Sequence, residues 1–284
     1  MEDGMRSRTR WLAALAGALA LGAVVGWPAL NRFFYPPNVV GQEAYAGQDE
    51  AVARDCFSHD RFDALLRKHV KTDSGVDYAG LKRDEVELRA YIESQGPADL
   101  SKCSRDDILA FYINAYNAAT LLLIVERYPG LRSIRDIPAN QRWDDVRWDL
   151  AGERWSLTQI EHEVLRKRFK EPRLHFAINC ASKSCPPLRN EAYVGSRIDA
   201  QLQDTAERFN RAGGAVWDRT GRTLRLSKIY DWYLGDFADS TDGLPDVAAK
   251  YLGKEVAREI LEARASIRVE FQDYDWSLNE AKAK

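Results

Sequence analysis

The stretch SRDDILAFYINAYNAATLLLIVER, residues 104–127, decides how this chain folds. Ser104 and Asp107 stand three apart, the spacing of a capping box, and Asp106 adds negative charge to the same first turn. Behind that cap, Ile108, Leu109, Phe111, Ile113 and the run from Leu121 to Val125 fall on every side of a helical wheel. A helix that is apolar all round belongs inside a protein core or a membrane. Asn114, Asn117 and the charged flanks argue against a membrane span. The spacing therefore predicts a central helix over residues 105–127, with the other elements packed around it.

Upstream, Phe62, Leu65, Leu66 and His69 share one helical face behind Asp60, which predicts a capped helix over residues 61–70. Gly75-Val76-Asp77-Tyr78 reads as a turn into a short extended piece, and another helix is expected over residues 84–94. Downstream, residues 148–155 read as a hairpin around Ala151-Gly152. A helix then starts at Ser156 or Thr158, with Gln159 or Glu161 closing the cap. Residues 175–180 are apolar and strand-like. Helices are expected over residues 196–211 and, in two pieces, over 244–265. Strands are expected over residues 223–226 and 267–274. The predicted fold class is α+β: one helix-rich domain with a small mixed or antiparallel sheet, behind an N-terminal transmembrane helix.

The chain has 284 residues, of which 45% are hydrophobic and 30% charged, a globular composition. A net charge of −2 gives no basic field, so nucleic acid is not an expected partner. Residues 11–30 carry no charge and follow Arg6, Arg8 and Arg10. That length spans a hydrocarbon core, and the arginines keep the short N-terminal side cytoplasmic. A cleaved signal peptide is the alternative, although its apolar part should be roughly 7–15 residues and end in small residues. The expected organisation is a basic cytoplasmic segment 1–10, a single-pass membrane anchor 11–30, a linker 31–55 with Pro36, Pro37, Gly41 and Gly47, and a globular domain 56–284 on the extracytoplasmic, periplasmic side.

Four cysteines in an exported chain read first as disulfides. Of three pairings, Cys56–Cys103 with Cys180–Cys185 is preferred, because the second two are close in sequence. There is no C-x-x-C spacing, and His59, His69, His162 and His175 show no H-x-x-x-H pattern, so neither a metal site nor a cofactor is expected.

HFAINCASKSCPPL, residues 175–188, is a reactive loop or a disulfide-closed turn. Pro186 suits the first position of a helix, which would put Cys185 at a helix N-cap and favour its thiolate. With His162 or His175 nearby, this is a cysteine–histidine hydrolase or transferase arrangement. Ser182 and Ser184 are alternative nucleophiles, but no G-x-S-x-G elbow surrounds them. Glu161 falls inside the apolar arc of its helix and His162 on its flank. Glu161 is a candidate base or orienting group and His162 a candidate acid/base, unless Glu161 only pairs with Arg168 or Arg173. Asn114 and Asn117 hold a ligand or an oxyanion, or else bond to a loop backbone. The catalytic candidates are thus Cys185, His162, Glu161 and His175. The substrate-binding candidates are Asn114, Asn117, Cys180 and Ser184, facing a small-molecule or peptide ligand.

The segments FYINAYN (111–117), LTQIEHEVLR (157–166) and HFAINCASKSCPPL (175–188) resemble, in order and spacing, the family called domain of unknown function 547. Val70, residues 75–78, Leu226-Ser227, Trp232-Tyr233 and Asp236-Phe237 extend the resemblance to about 62–237. It implies that the asparagine helix, Glu161-His162 and the cysteine loop form one signature and, by analogy, one site. Two functions stay open. One is a thiol-dependent hydrolase or acyl/peptidyl transferase of the cell envelope. The other is a non-catalytic binding or scaffold module with structural disulfides.

Overall fold

A computed structural model describes residues 56–71 and 75–281. The expected membrane segment 11–30 and linker 31–55 lie outside the described residues. The central helix forms over Arg105–Val125, and every residue from Ile108 to Val125 is buried. The Ser104 Oγ accepts the Asp107 N–H at 3.1 Å, and the Asp107 carboxylate accepts the Ser104 N–H at 3.3 Å, which completes the expected capping box. Gly195 lies against this cap so closely that a Cβ there would collide with the Asp107 carboxylate. Among the described residues, this one helix is long and apolar enough to cross a membrane, and the protein surrounds it completely.

Helices Asp60–His69, Tyr78–Arg83 and Glu85–Ser94 build up one side of the first core. Asp60 is the first helical residue rather than the cap, and its carboxylate accepts the Ser58 hydroxyl at 2.9 Å. The Cys56–Cys103 disulfide joins the chain before the first helix to the turn that enters the central one. The other two cysteines are free thiols, so the second expected pairing is not formed.

Strands Trp148–Leu150 and Glu153–Trp155 pair antiparallel around Ala151-Gly152, where both residues have positive φ (50° and 82°), as a two-residue hairpin turn requires. Ser156 and Gln159 then cap the next helix reciprocally. From Ile160 to Phe169 that helix widens to π geometry, with i→i+5 bonding. Residues five apart then share a face, which brings Glu161 and Arg166 to the same side.

The expected strand 175–180 is instead a short helix, Leu174–Ala177, followed by extended chain. An apolar run this short has no readable period. Its residues face two different cores. Leu174 and Ala177 belong to the cluster around the central helix, and Phe176 belongs to a second cluster. That second core is enclosed by helices Ile198–Phe209, Leu244–Ala249 and Lys254–Ala263 and by a three-stranded sheet. In the sheet, Thr223–Leu226 pairs antiparallel with Ala215–Asp218 and parallel with Arg268–Phe271. The helix-rich α+β class and the mixed sheet match expectation, while the expected N-terminal transmembrane helix lies outside the described residues. The C-terminal region completes the second core. Its tail then crosses the first, through bridges of Ser277 to Ser133, Leu278 to Ser182 and Glu280 to Val76.

Candidate functional site

Because the helix Leu174–Ala177 serves both cores, His175 is held at their junction, 3% exposed. Its Nε2 lies 2.7 Å from Oδ2 of Asp236. Arg166 grips the same carboxylate with Nε at 2.5 Å and Nη2 at 3.0 Å, and its Nη1 donates to His162 Nδ1 at 2.7 Å. The Tyr233 ring stacks on His175 at 3.8 Å between centroids. The Tyr233 hydroxyl donates to Glu161 Oε1 at 2.6 Å, and the Tyr116 hydroxyl reaches Oε2 at 3.3 Å. A single buried network thus contains Glu161, His162, Arg166, His175, Tyr233 and Asp236.

Its electrostatics follow from burial and pairing. Burial pushes the Asp236 carboxyl up, but the hydrogen bonds from His175 and Arg166 outweigh it and hold it far below the usual carboxylate range. Burial pushes His175 down against the pull of Asp236, so the imidazole is neutral at pH 7. A neutral ring that donates Nε2–H to Asp236 carries its lone pair on Nδ1, and that buried atom has no hydrogen-bond partner among the described residues. Burial also lowers His162 to about 4, against the opposing charge of Glu161. Glu161 is pushed up by burial, yet the neighbouring His162, the Tyr233 hydroxyl, His175 and the Arg166 charge together keep it below its ordinary value.

The thiols form the adjoining half. The Asn179 side chain folds the loop, accepting from the Ala181 N–H at 2.8 Å and donating to the Pro186 carbonyl at 2.8 Å. Ala181 takes a left-handed φ of 59°, the tight turn that presents the Cys180 sulfur. The Cys180 Sγ lies 3.3 Å from the Ser182 hydroxyl and 3.1 Å from the Tyr274 hydroxyl. The hydrogen bond from the Cys185 thiol, followed by those from Ser182 and Tyr274, outweighs burial and lowers Cys180 to about 7. Burial drives Cys185 the opposite way, well above an ordinary thiol. The two halves adjoin: burial and then the Glu161 charge raise both Tyr116 and Tyr233, and negative charge on Cys180 adds to each.

These placements revise the expected roles. No helix starts at Pro186, and the next helical turn begins at Gly195, so Cys185 caps nothing. It is the buried partner, and Cys180 is the activated, half-buried sulfur. Asn114 spends both ends of its amide on the Tyr193 backbone, at 2.8 and 3.0 Å. Asn117 does the same with the Ala177 carbonyl (3.0 Å) and the Asn179 N–H (2.8 Å). Both are loop-holding groups, and Asn117 positions the cysteine loop. Ser184 is tied to the Asp275 backbone, its Oγ accepting at 2.8 Å, while Ser182 is the serine beside Cys180. Arg173 pairs with Glu171 and Asp199, and Arg168 lies over Trp155, so neither is the partner of Glu161.

Sequence reasoning missed Tyr116, Arg166, Tyr233, Asp236 and Tyr274 as members of the site. The first four lie inside stretches that carry the family resemblance, which was the available signal. Tyr274 had none. A cleft of about 210 Å³ reaches Cys185 between Lys183, Pro187, Gly213 and Gln272. A second, of about 120 Å³, opens beside Arg166 and Asp236.

No curated protein and no solved structure matches this chain. One family model does, over a span that holds the central helix, Glu161-His162 and the whole cysteine loop, while Tyr233, Asp236 and Tyr274 lie beyond it. Residues 100–209 match the family described as Protein of unknown function, DUF547.

Proposed function

We propose that the chain is a thiol-dependent hydrolase or acyl/peptidyl transferase with Cys180 as its nucleophile, anchored to the cell membrane by residues 11–30 and working on the periplasmic side. The observation that carries this proposal is the sulfur of half-buried Cys180, met by two hydroxyls within 3.3 Å. Donors around a sulfur stabilise its thiolate, the reactive form. In the proposed step the thiolate attacks a carbonyl of a small-molecule or peptide ligand. A thioester forms at Cys180, and the leaving amine or alcohol takes up a proton. Water or a second nucleophile then accepts the acyl group. His175, neutral at pH 7, supplies a proton-accepting nitrogen at Nδ1 and Asp236 positions it, while the Nδ1 lone pair of His162 is taken by Arg166.

The uncharged stretch 11–30 and the arginines before it support the anchor. The Cys56–Cys103 disulfide supports an oxidising compartment. A non-catalytic binding or scaffold module is the second reading, favoured by the internal saturation of Asn114 and Asn117.

An activated acetyl ester offered to the purified chain tests the proposal. Acetyl transfer to Cys180, fastest above pH 7 and absent in Cys180→Ser, is expected. Acetylation no faster than that of a free cysteine would favour the binding module.

A further inference from the structure

The second thiol has no part in acyl transfer, yet the loop holds it beside the first. The Cys180 N–H points at the Cys185 sulfur, 3.0 Å away. Asn179 ties Ala181 to Pro186 across the loop, and the Asn279 amide adds a bond to Asn179 at 3.2 Å. The C-terminal tail clamps the outside, with Lys183 N–H on the Ser277 carbonyl at 2.9 Å and Asn279 N–H on the Ala181 carbonyl at 3.0 Å. The two residues differ in exposure: Cys180 is half-buried and Cys185 buried.

We propose that Cys180 and Cys185 form a thiol–disulfide exchange centre, in which Cys180 attacks an incoming disulfide and Cys185 resolves the product. The partner is a low-molecular-weight or protein disulfide, R–S–S–R. The Cys180 thiolate attacks one of its sulfurs, a Cys180–S–S–R bond forms, and the first R–S⁻ leaves to take a proton from solvent. Cys185 loses its proton to solvent through the cleft that reaches it. The Cys180 N–H then stabilises the new thiolate, which attacks the Cys180 sulfur. The Cys180–Cys185 disulfide forms and the second R–S⁻ leaves. Two electrons and two protons pass from the dithiol to the disulfide, which ends as two thiols. A thiolate on the more exposed residue paired with a buried, more basic thiol is the asymmetry this sequence of steps needs, and the directions of the two sulfurs agree with it.

The test treats the purified chain, its Cys56–Cys103 bridge intact, with glutathione disulfide. Adducts are mapped by mass spectrometry, and released glutathione is counted. The wild type is expected to release two glutathiones per chain and to end with a Cys180–Cys185 disulfide. Cys185→Ser should stop with one glutathione held on Cys180, and Cys180→Ser should react at least about tenfold more slowly. Should Cys185→Ser fail to fold, Cys185→Ala takes its place, and the wild-type product alone still decides. A stable mixed disulfide on the wild type, an unreactive loop, or a Cys180→Ser variant as fast as wild type overturns the proposal. No acyl donor is present in the assay. Exchange here together with no acetyl transfer in the ester assay removes the hydrolase or transferase reading and keeps this one, and the converse pair of results does the reverse.

Discussion

The Nε2 of His175 lies 2.7 Å from Oδ2 of Asp236, and that contact joins the short helix shared by both cores to the Leu234–Phe237 turn of the second. The carboxylate is simultaneously gripped by Arg166 and is 10% exposed at its side chain. Removing one member of a buried charged pair strands the other, at a cost of about 3–5 kcal/mol. Asp236→Asn keeps the shape and deletes the charge. It should lower the unfolding free energy by about 3 kcal/mol in urea titrations, since Arg166 loses the carboxylate that two of its nitrogens bind. A loss under about 1 kcal/mol would mean that solvent reaches Arg166 well enough to replace the pair.

Acid should weaken the fold early. Burial lowers His59 and His162 to about 4 each, and His175 moves in the same direction. An imidazole with a lower pKa when folded than unfolded takes up its proton more readily in the unfolded chain. Stability therefore falls as pH drops from the unfolded value near 6.5 towards 4, by up to about 3 kcal/mol for a group shifted this far. Asp236, held low, is still ionised through that window. Urea midpoints at pH 7, 6, 5 and 4 should decline steadily, and His59→Gln should flatten the slope. Equal midpoints at pH 7 and 4.5 would contradict these buried neutral imidazoles.

Asn114 and Asn117 are both buried on the central helix, but they hold different loops. Asn114→Ala exposes nothing of the cysteine loop, because its partner is the Tyr193 backbone. Asn117→Ala leaves the Asn179 N–H and the Ala177 carbonyl without partners. Each change should cost about 2–4 kcal/mol, as two buried backbone groups lose their bonds. They should differ at the thiol. Alkylation of Cys180 at neutral pH should slow markedly in Asn117→Ala and stay within about twofold of wild type in Asn114→Ala. Equal thiol rates in the two variants would show that Asn117 does not position the loop.

Local chemistry made much of this fold legible. The Ser104–Asp107 cap, the Ala151-Gly152 hairpin, the Ser156–Gln159 cap and the strand Thr223–Leu226 all stand where residue type and spacing put them. Longer-range relationships were hidden. The Arg166–Asp236 pair spans 70 positions, and the Cys180–Tyr274 contact spans 94. Which of two cysteines is activated depends on how Cys185, Ser182 and Tyr274 surround Cys180, so Pro186 alone pointed to the wrong sulfur. The π geometry over Ile160–Phe169 was also invisible, since a 100° wheel assumes the α-helical turn. Residues 175–180 failed for a different reason. Their apolar side chains satisfy two cores, and no single periodicity describes that.

The Cys56–Cys103 disulfide should stabilise the first core substantially. It closes a loop of 47 residues, and the chain-entropy picture assigns such a closure about 4 kcal/mol. Cys103 is 1% exposed, so Cys56→Ser is the gentler probe, leaving Cys103 as a small buried hydrophobe. The variant should unfold with a midpoint lowered accordingly, and reductant should lower the wild type to the same value. A reductant-insensitive midpoint would assign the stability of this region to packing alone.

Tyr274 gives the sharpest test of how Cys180 is activated. Its hydroxyl lies 3.1 Å from the sulfur, and its ring is packed at 4.7 Å from Trp232 and 4.6 Å from Trp276. Tyr274→Phe keeps the ring in that aromatic stack and removes only the donor. Cys180 sits at about 7 with the donor in place. A hydrogen bond to a charged acceptor is worth about 1.5 kcal/mol, so its loss should raise the thiol by roughly one unit. At pH 7 the thiolate fraction would then fall from about half to about a tenth, and alkylation would slow about fivefold. The deficit should vanish at pH 10, where both proteins are fully ionised. A pH–rate curve that does not move would place the source of activation in Cys185 and Ser182 alone, while a uniform loss at every pH would mean that the substitution displaced the loop rather than the proton.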